Sequence, residues 1–304
     1  LADAHLRPGD DLRGRLEAAG WAGEYLAFSD PVCVGPVGEP GLMAYLGQRA
    51  RFVARHAGAD PAAVRARLGG EYAAVSGLGR FARALLWFEH DLWDQAALIR
   101  VLSLLGGRAA PEGGLFLMPA DGRRPFVALP DAEIAGLSPV PLTAAGVEAG
   151  AAAWEAFAAE DPTALDAMSR RALPLPHLAA AMRRHLQDLP WRTDGLALTE
   201  RQVLRAAAEG AEALPALMTA QHAADPVFPV NDLILKEVAA RLAEGPRRLL
   251  TPGPPWRITD QGRAVLAGEA RHRPAPRFHA GVAVGPEPRW VWEPRAAGVA
   301  SAVR

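Results

Sequence analysis

Residues 83–95 read RALLWFEHDLWDQ, and the fold class turns on them. The unbroken apolar run from Arg83 to Phe88 is the pattern of a strand covered on both faces. It stops at Glu89, His90 and Asp91. Asp91 then caps a helix to about Leu105, with Leu92, Ala96, Ile99 and Leu102 on one face, and Gly106 and Gly107 end it. Upstream, Ala4–Leu6 reads as a short strand, followed by the turn PGDD at 8–11 and an amphipathic helix over Leu12–Ala19. Glu24–Phe28 is a second strand, and the glycine- and proline-rich stretch Val32–Pro40 is a loop. Leu42–His56 and Pro61–Ala74 are helical, the latter with Asp60 as cap and Pro61 in the first helical position. Gly114–Met118 is a further strand. Strands alternating with helices over 1–140 predict an α/β domain: a Rossmann-like parallel sheet with helices on both faces.

Downstream the pattern changes. Residues 141–195 predict three helices without a strand (Thr143–Ala159, Pro162–Arg171, Leu175–Leu189), a helical connector or a bundle packed on the first domain. In 196–268, TERQ at 199–202 has capping-box spacing and opens a helix to about Glu209. A helix over Ala213–Ala223 and one capped by Asn231 follow. Next come Leu249–Thr251, the tip PGPP at 252–255, Trp256–Ile258, and a helix over Asp260–Ala267. That order is the order of a C-terminal winged helix-turn-helix. The tail 269–304 is rich in Arg, Pro and Trp, and Ala283–Val284 with Arg289–Trp292 predict a last hairpin.

Composition bounds the function. The chain has 304 residues, a length that favours two domains, and half of them are hydrophobic, enough for real cores. Lys+Arg (33) and Asp+Glu (34) balance to a net charge of −1, so no overall field draws the protein to nucleic acid or to an anionic membrane. The single cysteine, Cys33, has no partner for an internal disulfide and reads as a buried, inert thiol in a reducing compartment. No apolar stretch is long enough to span a membrane, and the first residues lack a signal-peptide pattern, so the expected location is cytoplasmic. Lys236 is the only lysine, which makes arginine frequency a poor functional clue.

The candidate chemistry lies where strands end. In open α/β sheets ligands bind outside the carboxyl ends of the strands. Glu89, His90 and Asp91 stand at such an end, with Asp94 and Gln95 one turn on. If the first strands are parallel neighbours, Gly9, Asp10, Asp11 and Asp30 reach the same rim. Two chemistries suit carboxylates grouped with an imidazole. Glu89 and Asp91 can hold Mg²⁺ or Mn²⁺ against a phosphate. His90 can serve as a general acid or base tuned by its acidic neighbours. The purely structural reading is that Asp91 and Asp94 stabilise a helix start, that Glu89 and His90 pair with Arg83 or Arg80, and that Gly9 and Asp10 make a turn and cap. Neither GxGxxG nor a Walker pattern is present. Scattered histidines give no zinc spacing, and His177 and His185 fall on one helix face at the surface. In the C-terminal module, the third helix carries Asp232, Glu237 and Glu244 against Lys236 and Arg241, a poor balance for reading a DNA groove. Arg247, Arg248 and Arg257 flank the wing and are the candidate phosphate contacts. DNA is a less favoured partner than a protein.

The segment LWFEHDLWDQ at 86–95, Asp30 followed by Gly35 and Pro36, and the turn at Gly9 and Asp10 resemble the bacterial family built on domain of unknown function 1835. LTERQ at 198–202, Leu250 with ITDQG at 258–262, and RWVW at 289–292 resemble the C-terminal part of the same proteins. The resemblance implies an intracellular bacterial protein with an α/β domain in front and assigns no activity. In that family a Ser or Cys often follows the first Gly-acid pair, where this chain has Asp11, and a Tyr often stands where it has Trp93. Three functions follow as expectations: a regulator that binds a nucleotide-like or phosphorylated small molecule and signals through the winged helix; a metal-dependent phosphoryl hydrolase or nuclease using Glu89, His90 and Asp91; or a protein-interaction scaffold.

Overall fold

The computed structural model describes residues 1–302. Its centre is a mixed sheet of five strands: β1 (Ala4–Arg7), β2 (Glu24–Ala27), β3 (Ala84–Leu86), β4 (Leu115–Leu117) and β5 (Val140–Pro141). The spatial order is β2-β1-β3-β4-β5. The first four strands are parallel and β5 runs antiparallel to β4. The short run Val140–Pro141 carries no strand periodicity, and the sequence reading misses it.

Alternation along β3 explains its apolar run. Ala84 and Leu86 join the main core, whereas Leu85 and the following Trp87 join a second core with Leu12, Leu16, Phe126 and Ile134. Helices cover both faces. Helix α1 (Arg13–Ala18) and α5 (Asp131–Ala135) lie on the Leu85 side. On the Leu86 side lie α2 (Leu42–Ala57), α3 (Pro61–Ser76) and α4 (Leu92–Leu105). Asp60 accepts from Ala63 N at 3.0 Å, as expected of its cap position.

The helices of 141–195 pack against the first domain. Helix α6 (Ala144–Ala158) packs along α4. Gly150 permits the approach, since a Cβ there would stand 2.3 Å from Leu102 Cδ1. Helices α7 (Thr163–Ser169) and α8 (Leu178–Leu186) follow, and α8 also meets α4. His185, expected at the surface, is buried in this layer at 2 % exposure.

The C-terminal part contains α9 (Leu198–Ala208), α10 (Leu214–Ala224), α11 (Asp232–Leu242) and α12 (Asp260–Leu266). Asn231 and Thr259 cap α11 and α12 with their side chains. The start of α9 differs from the expected capping box. Glu200 reaches back to Ala197 N at 2.9 Å, but Thr199 donates to Asp188 Oδ2 at 2.8 Å instead of capping. Between α11 and α12 the expected hairpin shrinks to one antiparallel bridge, Leu250 with Ile258. Pro252, Pro254 and Pro255 supply no N–H to a ladder. The tail forms two hairpins rather than one: β6 (Arg277–His279) pairs with β7 (Val282–Val284), and β8 (Trp290–Glu293) with β9 (Gly298–Ser301). Among the described residues, no helix is long and apolar enough to cross a membrane.

Candidate functional site

Because β1 lies between β2 and β3, successive connections leave β1 in opposite directions, and the crevice between the β1 and β3 carboxyl ends is where open α/β sheets bind ligands. The acidic segment arrives there, but its partner is Arg7, the last residue of β1 and a residue the sequence reading passed over. Arg7 is 5 % exposed. Its Nη1 donates to Asp94 Oδ2 at 2.6 Å and to the Trp87 carbonyl at 3.2 Å. Its Nε and Nη2 grip Asp11 at 3.1 and 2.9 Å, and Nη2 stands 2.9 Å from Glu89 Oε1. One guanidinium thus faces Asp11, Glu89 and Asp94. Burial raises the Glu89 and Asp94 carboxyls above their ordinary range, against the pull of Arg7.

Backbone N–H groups also engage one oxygen each of Glu89, Asp94 and Asp91. Glu89 Oε1 accepts from Phe126 N at 2.8 Å, and Asp94 Oδ2 accepts from Glu89 N at 2.6 Å. Asp91 Oδ1 caps α4 through Asp94 N at 3.0 Å, worth about 1 kcal/mol. Gln95 donates to the Glu89 carbonyl. The Phe126 ring closes over Arg7, 5.9 Å from its Cζ. These carboxylates do not fit the Mg²⁺ or Mn²⁺ expected of them. A divalent cation needs several free carboxylate oxygens, and here backbone N–H groups hold one oxygen each of Glu89, Asp91 and Asp94 while Arg7 supplies a fixed positive charge against Glu89 and Asp94. Among the described residues no group of three or more His, Cys, Asp or Glu side chains is arranged to hold a metal ion.

The other expected rim residues separate. Asp10 is exposed and pairs with Arg13 at 2.8 Å. Gly9, at φ +89°, makes the turn, and its carbonyl accepts from the Tyr25 hydroxyl at 2.9 Å. Asp30 turns inward into a network of its own. It accepts from Arg49 Nε at 2.8 Å, Tyr45 Oη at 3.0 Å and Tyr72 Oη at 2.8 Å, and both members of the Asp30–Arg49 pair have 0 % side-chain exposure. Arg49 also donates to the carbonyls of Pro31, Val34 and Pro36, which holds the loop after β2 in shape. Cys33, within that loop, is buried, and burial pushes its thiol well above the ordinary range. Arg80 and Arg83, expected beside Glu89 and His90, instead pair with Glu24 and Asp3.

His90 sits at the edge of this rim. Its Nδ1 is buried with no hydrogen-bond partner, and its ring stands edge-on to His177, with centroids 6.0 Å apart. The rim is tied to the C-terminal helices where α4 begins. Leu92 N donates to the Val227 carbonyl at 2.7 Å, and Trp93 Nε1 donates to the Pro229 carbonyl at 3.0 Å. The start of α4 is therefore a joint between the sheet and the turn joining α10 to α11. Helix α11 is held from the other side, where His56 Nε2 on α2 lies 2.6 Å from Glu237 Oε2.

Of the candidate DNA contacts, Arg247 and Arg248 are exposed, while Arg257 pairs with Glu212 at 3.0 Å. On α11, Lys236 pairs with Asp232 at 2.9 Å and Arg241 with Glu237 at 2.8 Å. None of the protein-family models, curated proteins or solved structures compared with this chain matches it.

Proposed function

We propose that this protein is a ligand-responsive regulator. A Rossmann-like sheet layer takes up a nucleotide-like or phosphorylated small molecule, and a winged helix-turn-helix packed against it carries the signal. Membership of the bacterial family built on domain of unknown function 1835 belongs to the same proposal and rests on the sequence segments quoted above. The observation that carries the reading is the joint at the start of α4, where Leu92 and Trp93 hydrogen-bond to Val227 and Pro229. A change at the rim of the sheet reaches the C-terminal helices through two hydrogen bonds and no flexible linker. The strand order supports the Rossmann-like part. Three helices, a proline-tipped bridge and a fourth helix, in that chain order, support the winged-helix part.

The rim acts in this reading as the mechanical coupling. Three carboxylates already share Arg7, so the rim repels rather than attracts a phosphate. The output favours a protein partner over DNA. The positive charges on α11 are spent on neighbouring carboxylates, and Glu237 ties that helix to α2.

Thermal denaturation of the full chain against a panel of nucleoside phosphates and sugar phosphates tests the proposal. A regulator is stabilised by at least one of them and returns it unchanged. Turnover of the stabilising compound would replace the regulator with a phosphoryl hydrolase, and indifference to the whole panel would leave the scaffold. Salt-sensitive retention of duplex DNA that disappears in R247A/R248A would move the output to nucleic acid.

A further inference from the structure

A cavity of about 450 Å³ opens between the loop after β2, helix α2, helices α9 and α11, and strand β6. Its walls hold both signs of charge, but the two signs are not equally satisfied. Every carboxylate on the wall is engaged. Asp188 accepts from Thr199 N and Oγ1, both at 2.8 Å, and stands 3.2 Å from Arg184. Glu200 accepts from Ala197 N, and Glu237 is shared by His56 and Arg241.

Arg241 shares Glu237, and Arg277 and Arg55 are the guanidiniums left over. Arg277 donates from Nη2 to the backbone carbonyl of Asp188 at 2.9 Å, and its Nε is buried with no partner. Among the described residues Arg277 forms no ion pair, and burial lowers its pKa from the usual value. Arg241 also has a buried Nε without a partner. Arg55 reaches the cavity from α2 with no ion pair among the described residues. His279 adds no charge at neutral pH, because burial pushes it down to about 4. Arg277 is half-buried with Glu200, Asp188 and Glu237 in its field, yet no carboxylate pairs with it directly and its buried Nε donor is unsatisfied, which costs stability unless a ligand takes it up. The rest of the wall is apolar and includes Phe52, Leu92, Phe228 and Ile234. A cavity that sets convergent polar groups against an apolar wall is a usual form of small-molecule site.

We propose that this cleft binds a small oxyanion, a phosphate ester or a carboxylate, carried on an apolar or aromatic body. Arg277 and Arg55 hold the anion, and Phe52 and Phe228 wall the body. The proposal deepens the regulator reading and rests on it for the consequence of binding. The ligand touches α2 on one side and α11 on the other, and so clamps the two halves that the α4 joint connects. The loop that Arg49 braces, residues 33–36, forms one wall.

The test is calorimetric titration of the full chain with phenyl phosphate, benzoate, inorganic phosphate and benzyl alcohol. Phenyl phosphate or benzoate binds one to one, and whichever is tighter identifies the oxyanion. Inorganic phosphate binds about tenfold more weakly for want of the body, and benzyl alcohol does not bind. Arg277→Met weakens the tighter probe by about tenfold or more, and the rise in melting temperature that the probe gives the wild type is lost in the variant. Arg55→Met, at the exposed edge, weakens it in the same direction and keeps the test alive if the first variant folds poorly. Failure of both aromatic anions to bind the wild type overturns the proposal, as does undiminished binding in both variants. Stabilisation by a phosphorylated compound that survives both substitutions removes the cleft site and leaves the regulator intact. Binding in the cleft without any change in partner recognition does the reverse.

Discussion

Arg7 Nη1 donates to Asp94 Oδ2 across 2.6 Å and so ties the carboxyl end of β1 to the first turn of α4. The contact turns a rim that reads as a cluster of bare acids into a closed joint built around one cation. A cation is present at the acidic centre, and it is a side chain from the next strand over.

Arg7→Met removes that cation and leaves Glu89 and Asp94 buried without it. Unfolding by urea should show a loss of about 3–5 kcal/mol. Adding Glu89→Gln and Asp94→Asn to the same chain should recover part of the loss, because the uncompensated charges are then gone. A single-variant loss below about 1 kcal/mol would mean that the network carries no stability.

The histidine stack gives a pH signature. His279 lies 3.9 Å from His185, nearly parallel, and burial with repulsion from Arg277 depresses its pKa from 6.5 to about 4. The folded protein therefore takes up this proton less readily than the unfolded chain. The stabilising contribution is complete above pH 6.5 and is lost as the pH falls through about 4, to the extent of about 3 kcal/mol. Glu89 and Asp94, whose carboxyls are raised, act with the opposite sign: their contribution is present at low pH and is lost as the pH rises. Comparing unfolding free energies of wild type and His279→Gln at pH 7 and pH 4.5 isolates the histidine. The wild type should lose more on acidification than the variant, and equal losses would contradict the assignment.

Asp30 and Arg49 make a second buried pair, with hydroxyls from Tyr45 and Tyr72 on the carboxylate. Asp30→Ala strands Arg49 in the core and should cost about 3–5 kcal/mol. Tyr72→Phe removes the hydrogen bond to the Asp30 carboxylate, together with the contacts of the same hydroxyl to Tyr45 and Arg100, and should cost about 1.5–3 kcal/mol. Because Arg49 also holds the Pro31–Pro36 loop, Asp30→Ala should increase proteolytic cleavage within that loop before it affects sites in α4.

At the joint, Trp93→Phe keeps the ring packed on Phe228 but deletes the hydrogen bond to the Pro229 carbonyl. The expected cost is about 1 kcal/mol, with faster amide exchange confined to residues 225–231 and the neighbouring start of α4. Unchanged exchange there would break the link between the sheet rim and the C-terminal helices.

What could be read from the sequence was local. Asp60 before Pro61, Asp91 before Leu92 and Asn231 before Asp232 mark helix starts because a cap bonds within three residues of itself. The run at 84–88 marks a strand buried on both faces, and the parallel sheet follows from strands separated by helices. The chain's own pattern therefore determined the α/β class, the main helices and the meeting of the acidic segment with the first turn. Tertiary structure alone decided which partner each charge took. Arg7 finds Asp94 across 87 positions and Asp30 finds Arg49 across 19, and no local rule chooses among many arginines for a given carboxylate. The tail shows the same limit. Its apolar stretches satisfy several pairings equally well by periodicity, and packing selected β6 with β7 and β8 with β9. The cleft around Arg277 was also invisible in the sequence, because its walls come from segments as far apart as Cys33 and His279 that adjoin only once the helices have packed.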